Sequence, residues 1–338
     1  MSAHRCSKEW NPPGVILSKK LKSPFKIGSN HYNITASVGV AIYPRDGKNQ
    51  DTLLQRADAA MFEAKFKGRN RIQVFEAGIE SRAKRNHQLE NDLHMALKNK
   101  EIKALYQPIL NANDQNIVGS ELLLRWHHPS EGIIMPTDFI PIAERAQLIL
   151  EIGYWTIEEA CKNIIEWRKS AEKTFFLAVN LSVIQIRDGD FLKRVTDLIQ
   201  TYQIPHGYLE FEMTESILLK ESKRSIEIIN QLKLLGIKLS IDDFGTGYSS
   251  FEYIRKLPLD KIKIDKSFIT DIPDDPSSTT IVKTILSMAE ELNLEVVAEG
   301  VEAEEQFKFL QQYHCQYFQG FYFSKPITEN QLLNNFSF

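Results

Sequence analysis

The chain has 338 residues, 43% of them hydrophobic and 25% charged, with a formal net charge of −3. This is the make-up of a soluble globular chain with room for one large domain or two, and the near-neutral charge argues against a surface built for a nucleic-acid polymer. No run approaches the roughly 20 apolar residues of a membrane span, and the start lacks the cationic end and apolar core of a signal peptide. Cys6, Cys161 and Cys315 are odd in number and far apart. They fit neither a disulfide framework nor a zinc cluster, which points to a reducing, cytoplasmic setting.

Residues 15–75 read as strand, helix and strand. The run "ITASVGVAIYP" (34–44) is apolar, rich in small residues, and ends at a Pro-x-Asp-Gly turn. Over 51–68, Leu53, Leu54, Ala57, Ala60, Met61 and Ala64 recur at spacings of three and four, which predicts a helix. Asp51 is its candidate N-cap and Gly68 its stop. Residues 71–75 read as a second strand. The piece is too small for an independent α/β domain and offers no phosphate loop or acidic pair. A polar helix follows at about 80–98, with Leu89, Leu93 and Leu97 on one face. It reads as a linker helix packed on the next domain, or as a pairing helix for a homodimer. The expected organisation is a first piece at 1–78, a linker helix at 79–100 and a large domain at 85–338.

From Lys103 onward, strand-like runs alternate with helical ones. The strands are "KALYQPIL", "IVGSELLLRW", "FFLAVNLS", "LEFEMTES", "IKLSIDDFG", "KIKIDKSF", "LEVVAEGV" and "CQYFQGF". Helical stretches such as "YWTIEEACKNIIEWRKS" and "TTIVKTILSMAEELN" separate most of them. This pattern predicts an α/β chain forming a TIM-like (β/α)8 barrel, whose functional groups sit at the carboxyl ends of the strands. No Gly-x-Gly-x-x-Gly follows a strand, so a dinucleotide fold loses support.

Every run after the first carries a polar residue that does not suit a core: Glu121, Asn180, Glu212, Asp242 with Asp243, Lys263, Glu299 and Gln319. Glu215 follows in the turn after Glu212. The residues two positions earlier on the same face are often small, as at Gly119, Ala178 and Ser240. Unpaired buried carboxylates cost several kcal/mol each, and one lysine cannot balance five acids. Divalent cations can. The donors are hard oxygens without Cys or His at ligand spacing, which selects Mg²⁺ or Mn²⁺. Four or five carboxylates suit two ions roughly 3.5–4 Å apart, and hence phosphoester hydrolysis.

The motifs resemble a known family. "ELLLRW" (121–126) is similar to the signature of EAL-domain cyclic di-GMP phosphodiesterases. "YQPI", "PTDFIPIAE", "VNLS", "EMTES", "IDDFGTGYSS", "KIKIDKSF", "AEGVE" and "QGFYFSKP" follow the family's order around it, across roughly 85–338. The resemblance implies metal ligation by Glu121, Asn180, Glu212, Asp242, Asp243 and Glu299, with Asp242 bridging two ions. It implies that Lys263 lies beside the attacking water, that Gln319 helps hold the water or the metal shell, and that Glu215 braces the loop after Asp243. Gln107 and Arg125 would contact the nucleotide, Arg125 through phosphate. The signature departs only at Leu122, where the family name has Ala. The first piece resembles the carboxyl-terminal half of a GGDEF diguanylate cyclase domain through "TASVGVAIYPRDG" and "LLQRADAAMFEAKFKGRNRIQVF". The GGDEF signature, which belongs upstream of Ile34, is absent, so nucleotide cyclisation by this chain is not expected.

The resemblance implies hydrolysis of cyclic di-GMP to linear pGpG; the alternative is a catalytically silent receptor or scaffold that binds the same nucleotide. Lys263 reads as a base, as an orienter of hydroxide, or as a structural ion-pair partner. The adjacent acids pose a geometric question. Strict alternation would turn Asp243 away from Asp242, so the backbone must leave strand geometry there if both reach one site. Gly245 and Gly247 supply the φ freedom for that bend.

Overall fold

The computed structural model describes residues 25–28, 30–32, 34–68, 70–169, 175–214, 223–246 and 257–335. The chain divides into two compact units, 1–94 and 95–338. In the first, β1 (Phe25–Ile27) and β2 (Asn30–Tyr32) form a hairpin, and β3 (Val38–Val40) pairs in parallel with β4 (Ile72–Val74). The crossover between β3 and β4 contains the helix Gln50–Phe66. Its N-cap is Asn49, which accepts from the Thr52 amide at 2.8 Å. Asp51 therefore stands in the first turn and is not the cap, although its charge still suits the helix dipole. The strand is shorter than the run 34–44 because only Val38–Val40 find a partner. Gly39 lies so close to the helix that a Cβ there would meet the Ala57 carbonyl at 1.9 Å. The helix Ile79–Ala96 runs across the division between the units, with Leu89 and Leu93 buried.

The second unit is a closed barrel. Its strands are β5 (Ile102–Asn111), β6 (Ile117–His128), β8 (Phe176–Leu181), β9 (Leu209–Thr214), β10 (Lys238–Phe244), β11 (Lys261–Ile264), β12 (Glu295–Ala298) and β13 (Tyr317–Phe318). They close in the order β5-β13-β12-β11-β10-β9-β8-β6 and back to β5, while β7 (Gly132–Ile134) extends β6 on its far side. All eight predicted runs are present. One strand departs from an all-parallel ring: β5 is antiparallel to both β6 and β13. Only residues 112–116 join β5 to β6, too few for the dozen or so that a parallel crossover needs.

Both faces of these strands are buried: the outward residues are apolar, while on β9 and β11 the inward ones are the charged Glu210, Glu212, Lys261 and Lys263. Outside the ring, Phe211, Ile241 and Ile262 pack under helices such as Ile149–Trp167, which buries Ile157, Ala160 and Ile164 at helical spacing. Truncating Ile164 to Ala would cost roughly 2–5 kcal/mol. Inside the ring, Ile109, Phe176, Ala178 and Val297 form the floor. Gly119 makes room for it, since a Cβ there would stand 2.7 Å from the Phe176 ring. The helix Pro136–Arg145 was not among the predicted elements. Pro136 begins it in the first turn, where a missing N–H costs nothing, and Pro141 lies within it.

Candidate active site

The polar residues predicted at the strand ends converge inside the mouth of the barrel, and Lys263 is their centre. Its Nζ lies 2.6 Å from Glu299 Oε1, 2.9 Å from Glu212 Oε2, 3.2 Å from Glu121 Oε2 and 3.5 Å from Asp242 Oδ1. Lys263 and Glu212 are each 1% exposed. Glu121 is further held by two amides: Asn180 donates to its Oε1 at 2.7 Å, and Gln319 donates to its Oε2 at 2.7 Å. The register explains the convergence. Asn180 pairs with Glu212 across β8 and β9, and Glu212 with Ser240 across β9 and β10.

Asp242 and Asp243 answer the question of alternation. The β10–β11 register shifts between Ile241 and Phe244, so two residues of β10 oppose the single Lys263 of β11. This is a β-bulge. Asp243 sits at φ +53, in the left-handed region that Asp tolerates better than most residues. Gly245 follows at φ +97. The bulge turns Asp243 back toward its neighbour, and carboxylate oxygens of Asp242, Asp243 and Glu299 all lie within 4.8 Å of one another.

The charges are unevenly compensated. Burial penalises the Glu121 carboxylate, but Lys263, Gln319 and Asn180 outweigh it and hold the group below the usual carboxylate range. Burial and the nearby Glu121 push Glu212 well up. Burial, opposed by Lys263 and reinforced by Asp242, raises Glu299 to about 8. Asp243 rises to about 6 through burial and the adjacent Asp242. Burial alone would neutralise Lys263, yet Asp242, Glu121, Glu212 and Glu299 together raise its pKa well above the ordinary value. Fully ionised, five carboxylates against one ammonium would leave four negative charges in the cage. Glu212 Oε1 is buried with no hydrogen-bond partner. An orphaned hard-oxygen donor and an uncompensated negative charge fit divalent cations of the Mg²⁺ or Mn²⁺ type.

Gln107 and Arg125 border the carboxylates, Gln107 as the register partner of Glu121 across β5 and β6. Gln107 Nε2 donates to the Ser324 carbonyl at 3.2 Å, and its Oε1 accepts from Gln319 at 3.2 Å. It is thus one link from Glu121. The guanidinium of Arg125, half-buried at the mouth, donates to the Leu124 carbonyl at 2.6 Å. Glu215 lies outside the described residues. Two cavities flank the cage. One of about 460 Å³ is lined by Leu123, Pro141, Glu144, Gly153, Asn180 and Asp243. The other, about 190 Å³, is lined by Gln107, Leu123, Lys266, Glu299, Gln319 and Phe321. Leu123 lines both, and the predicted set omitted it. Its period-two relation to Glu121 and Arg125 is the signal that finds it. Phe321, 52% exposed beside Gln319, carried no comparable pattern.

Comparison with known proteins identifies the family and the fold. A family model described as the EAL domain matches residues 90–326, and one described as the diguanylate cyclase GGDEF domain matches residues 15–71. The chain is 38% identical over 317 residues to the bifunctional diguanylate cyclase/cyclic di-GMP phosphodiesterase MucR of Pseudomonas aeruginosa, covering 94% of this chain and 46% of the relative. It is 34% identical over 308 residues to the cyclic di-GMP phosphodiesterase PdeR of Escherichia coli, covering 91% and 46%. The chain therefore spans less than half the length of these two relatives. Among solved structures it resembles the PaMucR phosphodiesterase in complex with c-di-GMP, with a TM-score of 0.70 and 38% identity over 72% of this chain and 99% of that one. It also resembles the EAL enzyme Bd1971 with cAMP and cyclic di-GMP bound, with a TM-score of 0.72 and 34% identity over 75% and 69%. The chain belongs to the EAL domain family and carries a GGDEF domain fragment ahead of its barrel.

Proposed function

We propose that the chain is a phosphodiesterase that hydrolyses cyclic di-GMP to linear pGpG with two Mg²⁺ or Mn²⁺ ions. The observation that carries the reading is the cage itself, with five convergent carboxylates and a single buried ammonium. Once all five carboxylates are ionised, as metal ligation requires, the four negative charges left over equal the charge of two divalent cations. Glu121, Asn180, Glu212, Asp242, Asp243 and Glu299 would hold them, with Asp242 shared. Two such ions, when bound, supply Lewis acidity and a water acidic enough to attack a phosphodiester at neutral pH. The substrate assignment draws support from the named activities of MucR and PdeR and from the c-di-GMP complex of PaMucR.

The chain's own groups have distinct tasks in this reading. Lys263, set among Glu121, Glu212, Asp242 and Glu299, stands beside the attacking water as its base or its orienter. Gln319 gives its Nε2 to Glu121 while its Oε1 is buried without a partner, which leaves an acceptor free for the water's proton. Gln107 steadies Gln319 and, with Arg125, contacts the nucleotide. Glu215 remains assigned to bracing the loop after Asp243.

The test is an assay of cyclic di-GMP hydrolysis with pGpG and GMP resolved. Product should be pGpG, should vanish with EDTA, and should return with Mg²⁺ or Mn²⁺. Glu121→Ala and Asp242→Asn should abolish turnover. Wild-type rates in either variant would sink the metal-cage reading. Tight binding without product in saturating metal would instead identify a receptor.

A further inference from the structure

A second buried ion pair lies one step further down the barrel. Lys261 and Glu210 precede Lys263 and Glu212 by two residues on β11 and β9, so the period-two rule sets them on the same inward face. Lys261 Nζ stands 2.7 Å from Glu210 Oε2, and the two side chains are 0% and 1% exposed. The ammonium also lies 3.7 Å from the centre of the Phe176 ring and 5.2 Å from that of Tyr317, a cation–π arrangement. Glu210 Oε1 is buried with no hydrogen-bond partner.

Stability does not account for this pair. Desolvating two ions cancels most of their attraction, and apolar replacements of such pairs are often neutral or stabilising. Barrel interiors are ordinarily filled by branched apolar side chains, as they are here at Ile109 and Val297. The backbone supplies a better reason. β9 and β11 do not hydrogen-bond to each other, because β10 lies between them. The β10–β11 ladder loses its register at the Asp242–Asp243 bulge, and β11 is only four residues long. Lys261–Glu210 links the outer two strands across β10 just below that interruption. Lys263–Glu212 links them again at its level, at 2.9 Å. Ser240, opposite Lys261 in the register, is short enough to leave room for the lower link.

We infer that Lys261 and Glu210 are positioning residues. They form a buried ionic rung that fixes β11 against β9 where the bulge breaks the ladder between them. The rung thereby sets Lys263 relative to Glu212, Asp242 and Asp243. The inference rests on the metal cage proposed above, so its test reads metal binding as well as turnover.

Wild type, Glu210→Gln and the double variant Glu210→Gln/Lys261→Met are compared by Mn²⁺ titration followed by electron paramagnetic resonance, by melting temperature, and by kcat and KM for cyclic di-GMP. The double variant should melt near the wild-type temperature, bind Mn²⁺ about tenfold more weakly, and lose kcat with KM unchanged. Glu210→Gln keeps the volume and one acceptor oxygen, so it should show a smaller loss in the same direction, and it decides the matter if the double variant does not fold. Mn²⁺ affinity and kcat within about twofold of wild type in a folded variant, with only stability altered, would make the pair merely structural and overturn the inference. A wild-type protein that binds no Mn²⁺ would overturn the cage itself, and the rung's role with it.

Discussion

The protons of the cage residues are where its chemistry becomes measurable. Glu299, raised to about 8, carries its proton at pH 7, whereas Asp243, raised to about 6, is mostly ionised there. A carboxylate must give up its proton to ligate a metal. The sign follows directly. A pKa above the ordinary carboxylate value means that protons compete with metal up to that pKa, so affinity falls as pH falls through 8 and falls more steeply below 6. Metal binding at pH 7 should therefore release at least one proton, with Glu299 the first source and Glu212, also raised, adding to it. Calorimetric Mg²⁺ or Mn²⁺ titrations in buffers of different ionisation enthalpy would read that number. Binding enthalpies independent of the buffer would mean that the carboxylates are already ionised and that the cage is less strained by burial than its geometry implies.

At the level of single elements, the bulge in β10 decides whether adjacent acids can share a site. Gly245 supports it with φ +97, and a Cβ there would press to 2.8 Å on the Phe268 ring. Gly245→Ala combines a disfavoured backbone with a contact that must shift, so it should lower stability by roughly 1–3 kcal/mol and lower turnover as Asp243 is displaced. Urea denaturation and kcat together test this; unchanged values for both would show that the bulge does not depend on that glycine. Much of this element was legible beforehand. Alternation located Asp242, and the parity of Asp243 demanded a break that Gly245 made available, while Gly247 lies outside the described residues. Other features were hidden for physical reasons. Pro136 and Pro141, a residue type that ordinarily breaks helices, obscure the one at Pro136–Arg145 that walls the larger cavity. Asn49 and Asp51 are both competent caps two residues apart, and only the backbone path chooses between them. Lys261 and Glu210 obey the same period-two rule as Lys263 and Glu212, but they sit a layer below the strand ends, where apolar filling is the rule. The short link 112–116 already dictated an antiparallel β5.

Taken as a whole, the molecule separates a complete ring from an incomplete sheet. The barrel closes within residues 102–318, every cage residue comes from it, and no helix of the described residues is long and apolar enough to cross a membrane. In the first unit β3 and β4 pair only with each other among the described residues, which leaves strand edges of the kind that template association. We expect a chain of residues 79–338, retaining the whole helix Ile79–Ala96, to fold and to hydrolyse cyclic di-GMP within about threefold of the full chain, because closed sheets need no outside partner for their edges. It should also stay monodisperse to higher concentration in light scattering. The informative failure is a shortened chain that keeps its circular dichroism and melting temperature but loses kcat. That result would assign the GGDEF fragment a part in the barrel's activity, which dimerisation through the helix at 79–96 would then have to explain. Equal activity with equal association would show that the exposed edges are already guarded in the full chain.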